Sequence, residues 1–174
     1  SRHMAREDLA FVYHYGDFIY EYQQNYLYDS GLPIRPVRRY EQRALIDVTD
    51  FRAAYAQTLL DIDQQAVRSV HAVLSSFDDH EIINDWVSDI DNWSLDLPGN
   101  DPEAAPPEVF MLKKQAAMQA WYEHMPVRNA LLPRGGMVAL NREFRYGDLM
   151  AMQLLDTRQY RDDQPCGDGF KPAC

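Results

Sequence analysis

No stretch of this sequence reaches the about 20 consecutive apolar residues that a membrane helix needs, so nothing in it reads as a membrane span. Cysteine is scarce. Cys166 and Cys174 are the two present, and their spacing fits neither a zinc motif nor a Cys-x-x-Cys redox pair. They could close a local disulfide in an oxidising compartment or stand as two free thiols. Basic residues are short as well: 17 Lys and Arg against 27 Asp and Glu leave a formal net charge of -10. That balance disfavours non-specific binding to nucleic acid, which is led by Lys and Arg on phosphates. It does not exclude phosphate chemistry, because bound cations can supply the missing positive charge. No internal repeat or low-complexity segment is present, and Ser1 to Met4 lack the apolar region of a signal peptide.

What is present is globular composition. Of 174 residues, 46% are hydrophobic and 25% charged, enough for a single domain with a sizeable core. Met4 to Ala10 reads as the end of a helix leading into a buried strand, Phe11 to Tyr15. A helix that runs into a strand ending in Gly-Asp suggests an α/β fold. Residues 21–40, rich in Tyr, Arg, Pro and Gly, read as loop. Thr49-Asp50 is a candidate N-cap for one or two helices extending to about residue 71. Val73 to Phe77 is the second strand, followed by a turn or short helix from Ile82 to Trp86. Residues 89–107 form a polar loop. A long helix begins at Pro106-Pro107 and ends before Pro126, with an expected apolar face of Val109, Leu112, Ala116, Ala120 and Trp121. Two strands flanking Gly147-Asp148 form a hairpin, of which the second, Leu149 to Leu155, is the more apolar and expected to be central.

Two strand ends carry the candidate chemistry. The first run closes in Gly16-Asp17, with Tyr20 three residues later. Open α/β sheets keep ligands beyond the carboxyl ends of their strands. Carboxylate and phenol oxygens suit hard cations such as ferric iron or calcium. The second run closes in Asp78-Asp79-His80-Glu81, with Asn84 and Asp85 a turn on. These acids would repel unless cations, water or a helix N-cap took up the charge. Arg158 and Arg161 follow the last strand and suit either a structural ion pair or a phosphate. His14 reads as a satisfied core histidine, and Trp121, Tyr122 and His124 as packing groups.

The resemblance to a known family rests on blocks in order. His14-Tyr-Gly-Asp-Phe-Ile-Tyr-Glu-Tyr22 resembles the HxGDYIYEY block of PhoD-like alkaline phosphatases, and Phe77-Asp-Asp-His-Glu-Ile-Ile-Asn-Asp-Trp86 resembles their WDDHEVxNDW block. Ala120 to Arg128 and Leu154 to Arg161 are similar to two further blocks. Phe18 and Phe77 stand where the family has Tyr and Trp.

The resemblance implies an α/β fold, part of the metallophosphoesterase αββα sandwich with mixed sheets flanked by helices. It also implies hydrolysis of phosphate mono- or diesters by water activated at an iron and calcium centre, in a secreted or periplasmic protein. Asp17 would then be the bridging carboxylate, Tyr20 the tyrosinate on iron, and Asp79 a ligand to the second metal in place of the Asn of a Gly-Asn-His-Glu motif. His80 would face the phosphate and protonate the leaving oxygen. Asn84 would be a further metal ligand, Asp78 a lesser one, and Arg158 a substrate contact. Other ligands of the family would lie outside residues 1–174, making the chain a partial domain. The rival expectation is a non-catalytic acidic α/β module that binds calcium or a protein partner through its Tyr-rich loop. It requires Asp17 and Asp79 to lie apart.

Overall fold

Two short strands set the geometry of the candidate site. In the computed structural model, which describes residues 1–21, 44–91 and 106–163 (Asn129 by its backbone only), β1 (Val12–His14) and β2 (Val73–Ser75) lie parallel. Val12 is opposite Val73 and His14 opposite Ser75, so both chains leave the ladder at the same end. Parallel neighbours cannot be joined by a tight turn and need a crossover. The crossover includes two helices, α1 (Val48–Leu59) and α2 (Ile62–Val70). A third helix, α3 (Pro107–His124), packs on α1. An antiparallel pair, β3 (Arg142–Tyr146) and β4 (Met150–Leu154), follows. The chain is therefore mixed α/β, with one small parallel and one small antiparallel sheet among the described residues.

The helices start where their caps dictate. Asp47, not Thr49 or Asp50, is the N-cap of α1: its Oδ1 accepts from Thr49 N at 2.7 Å and Asp50 N at 3.0 Å. Asp50 reaches back to the Asp47 amide, completing a reciprocal box that satisfies otherwise orphaned donors. Asp61 caps α2 without a reciprocal box, its Oδ1 accepting from Asp63 N and Gln64 N, and this second cap separates the two helices. The expected helix over Met4 to Ala10 shrinks to a single 3₁₀ turn, Met4–Arg6. That turn has no side-chain cap and buries nothing, so no packing offsets the cost of a longer helix.

The core lies between α1 and α3. Phe51, Ala54 and Tyr55 meet Phe110, Ala117, Met118, Ala120 and Trp121. This stripe is rotated from the expected one: Val109 is 51% and Leu112 66% exposed, whereas Lys114 is buried. The buried face passes through a lysine, which an apolar template rejects. Its ammonium is kept by Ser88 O, 2.7 Å away, and by the Trp86 ring, with Nζ 4.7 Å from the centroid.

The hairpin forms as expected, with Gly147 at φ 51 in its turn. Among the described residues its second strand, β4, pairs only with β3 and so occupies no central position there. Ala151 and Gln153 face solvent between half-buried methionines, the period of a strand covered on one side. Most of the Tyr-rich loop at 21–40 and of the polar loop at 89–107 lies outside the described residues, as do Cys166 and Cys174. No helix among the described residues is long and apolar enough to cross a membrane.

Candidate metal centre

The loop after β1 turns sharply. Gly16 has φ 125 and Asp17 φ 56, a conformation uncommon outside glycine. Gly16 also lies against the second loop: a Cβ there would fall 2.4 Å from Asp78 N and 2.5 Å from Asp78 Cβ. The glycine is what lets the two strand-end loops touch. Each loop is then pinned by apolar residues beside its acids. Phe18 and Ile19 are buried directly after Asp17, and Phe18 stacks on Tyr55 with centroids 6.0 Å apart. Phe77 is buried directly before Asp78 and packs edge-on to Trp121 at 5.5 Å. Ile82, Ile83 and Trp86 are buried just beyond Glu81.

Held in this way, Asp17, Asp79 and His80 present ligand atoms that all lie within 4.8 Å of one another. Asp17 Oδ1 is buried and has no hydrogen-bond partner among the described residues. An orphaned carboxylate oxygen beside a second carboxylate fits a hard cation, with the imidazole at its edge. Tyr20 joins the group, donating its phenol hydrogen to Asp17 Oδ2 at 3.3 Å and lying over His80 with centroids 4.3 Å apart. A cleft of about 300 Å³, lined by Tyr13, His14, Tyr15, Gly16, Asp17 and Tyr20, opens beside it. The separation of Asp17 from Asp79 on which the non-catalytic rival depends is absent.

Charge around the group is unevenly distributed. Burial raises the Asp17 carboxyl, with the neighbouring Asp79 and Asp78 adding to the rise against the pull of His80. Burial likewise raises Tyr20, helped by the Asp17 charge, so the phenol keeps its proton in the metal-free protein. Burial pushes Asp79 up, but the Asp85 amide, 2.8 Å from Asp79 Oδ2, and the Arg158 and His80 charges outweigh it and hold Asp79 below the usual range. His80 is pulled down by burial and carried above its ordinary value by Glu21.

Arg158, 8% exposed, places its guanidinium among three carboxylates: Asp78 Oδ1 at 2.6 Å, Asp79 Oδ2 at 3.3 Å and Asp85 Oδ1 at 3.7 Å. Of the two roles its position in sequence suggested, the geometry matches the structural ion pair. Asn84 is held differently from the three clustered groups, its side-chain amide donating to Asp85 Oδ2 and its backbone N–H to Glu21 Oε1. His14 packs edge-on to Phe18 at 5.1 Å, and burial lowers its pKa, but it is only half-buried and lines the cleft, so it is not the core histidine expected. Trp121 is fully buried and His124 stacks on Tyr55 at 5.4 Å, so both are packing groups.

Two acids of the site had no role assigned from sequence. Glu21, 4% exposed, receives the His80 ring on Oε2 at 2.8 Å and the Asn84 amide on Oε1 at 2.6 Å. Glu81 lies between the two loops and accepts from backbone amides of both. The available signal was their setting: Glu21 comes two residues after the buried Ile19, and Glu81 directly precedes Ile82-Ile83. A carboxylate beside buried apolar residues must have dedicated donors.

Comparison with known proteins extends over the whole chain. The family profile described as PhoD-like phosphatase matches residues 1–174. Alkaline phosphatase D of Bacillus subtilis (strain 168) is 40% identical over 172 residues, which are 98% of this chain and 27% of that protein. A solved structure described as "Structure of PhoD" superposes with a TM-score of 0.83 at 38% identity, covering 99% of this chain and 31% of the other. The chain thus spans about a quarter to a third of the length of the relatives it matches.

Proposed function

This chain belongs to the PhoD-like phosphatase family, and from that premise we propose that it carries part of the metal centre of a phosphoric ester hydrolase acting on mono- or diesters. One observation carries the reading: Asp17, Asp79 and His80, from two loops far apart in sequence, converge within 4.8 Å. In this reading Asp17, Tyr20 and Asp79 hold the metal, with Asn84 able to add only its Oδ1. The ions are proposed to be iron(III) and calcium(II), whose preference for oxygen donors the site chemistry supports. Bound there, they would supply charge neutralisation at the phosphoryl group and an acidified water.

The chain's own residues do the rest. Asp17 offers an oxygen that no donor has claimed among the described residues. Asp79 stays ionised because Asp85 N–H and Arg158 face its Oδ2. Glu21 holds His80 through Nδ1, which directs Nε2 to deliver a proton to the leaving oxygen. Arg158 positions Asp78, Asp79 and Asp85 and is assigned no phosphate contact. The substrate is proposed to be a small phosphate ester and the location secreted or periplasmic, as the resemblance of the sequence blocks implies.

The test uses the full-length protein. Asp17→Ala and Asp79→Ala should each lose bound metal and nitrophenyl phosphate hydrolysis together. Full activity in both variants overturns the reading.

A further inference from the structure

The two ligand loops are tied together by one buried side chain. Glu81 is 1% exposed, and its carboxylate points back between the loops. Oε1 accepts from Phe18 N at 2.6 Å, and Oε2 accepts from Asp17 N at 3.1 Å and Asp78 N at 2.8 Å. Two of these amides belong to the first loop, 63 and 64 residues away in sequence, and one belongs to the second. One is the amide of Asp17 itself, whose backbone sits at φ 56. A strained conformation persists only where its surroundings over-determine it.

Burying a carboxylate is costly, and charge-assisted bonds to several N–H groups are what make it tolerable. A buried neutral side chain could fill the same space at lower cost. It could not, however, accept three hydrogen bonds from two separate loops. The acid therefore supplies geometry: it sets how far Asp17 stands from Asp79 and His80.

We propose that Glu81 is the positioning residue of this centre, a clamp that holds the Asp17 loop against the Asp78–His80 loop at ligating distance before any cation arrives. The proposal rests on the metal-centre reading for its purpose and on hydrogen-bond geometry for its existence, and the two are tested separately. Groups outside the ligand set that orient ligands typically change metal affinity about 10–100-fold when altered.

The experiment uses the full-length protein stripped of metal by chelation. Hydrogen exchange followed by mass spectrometry should find the amides of Asp17, Phe18 and Asp78 protected in the wild type. Glu81→Gln keeps the shape but only one acceptor oxygen. It should raise exchange in those segments at least about tenfold, leave α1 and α3 protected, and weaken calcium(II) binding in calorimetry by about 10–100-fold. Immediate exchange of those amides in the metal-free wild type overturns the clamp without any variant, which decides the matter even if Glu81→Gln fails to fold. Faster exchange in Glu81→Gln with unchanged calcium(II) affinity also overturns the positioning role. A wild type that binds no cation but protects these amides removes the metal reading and leaves the clamp standing.

Discussion

Glu21 Oε2 lies 2.8 Å from His80 Nδ1, and both side chains are buried. Short charge-assisted contacts of this kind fix a histidine's tautomer as well as its orientation. Glu21 and His80 come from the two loops that carry the candidate ligands, so the pair also crosses between them.

The Glu21–His80 contact predicts a pH signature. Glu21 carries His80 above its ordinary pKa against the opposing effect of burial. If the imidazolium is the proton donor, activity falls as pH rises through the His80 pKa. Glu21→Gln should move that limb to lower pH and reduce kcat by about 10–100-fold, with a smaller effect on KM. A kcat profile against pH in the full-length enzyme checks this; an unmoved limb contradicts it.

Arg158 predicts a stability effect with a defined direction. Replacing it by Met leaves Asp78, Asp79 and Asp85 facing one another without their shared cation. Breaking a buried pair on one side costs about 3–5 kcal/mol, which urea unfolding can measure. Asp79 is held below its ordinary value of 3.8, so its share of stability is present above that pH and is lost as pH falls through the lower native value. Arg158→Met should shrink the acid-dependent part of the unfolding free energy.

Gly16 predicts intolerance to the smallest substitution. Gly16→Ala places a methyl 2.4 Å from a backbone nitrogen, at a φ of 125 that L-residues rarely adopt. The backbone strain alone is on the order of 1–3 kcal/mol, and no rotamer relieves the clash. A lowered Tm accompanied by loss of calcium(II) binding is expected. An unchanged Tm would mean that the loops do not touch at this point.

On the surface, Arg52 and Glu123 join α1 to α3 through paired contacts of 2.6 Å. The Arg52 hydrogen bond holds Glu123 at about 2. Its contribution is therefore present above the ordinary 4.5 and lost as pH falls from there toward 2. Because the pair is exposed, the effect should be small and salt-sensitive. Glu123→Gln should change Tm little at neutral pH and flatten its decline in acid, as thermal melts between pH 2 and 5 would show.

Much of this protein was determined by sequence alone. The two apolar runs that end in Asp17 and Asp78, the helices between residues 50 and 71, the proline-led helix ending before Pro126 and the turn at Gly147-Asp148 all follow from neighbours along the chain. Local propensity and capping chemistry act over a few residues, so they can be read from a few residues. Tertiary structure alone decided which charges are buried and which acids meet. The parallel register of β1 on β2 brings Asp17 to Asp79. Lys114 enters the core because Ser88 O and the Trp86 ring await it from another segment. Glu21 and Glu81 become parts of the site because donors more than 50 residues away converge on their oxygens. The free energy of a buried charge is set by whatever surrounds it in space, and that environment exists only once the chain has folded.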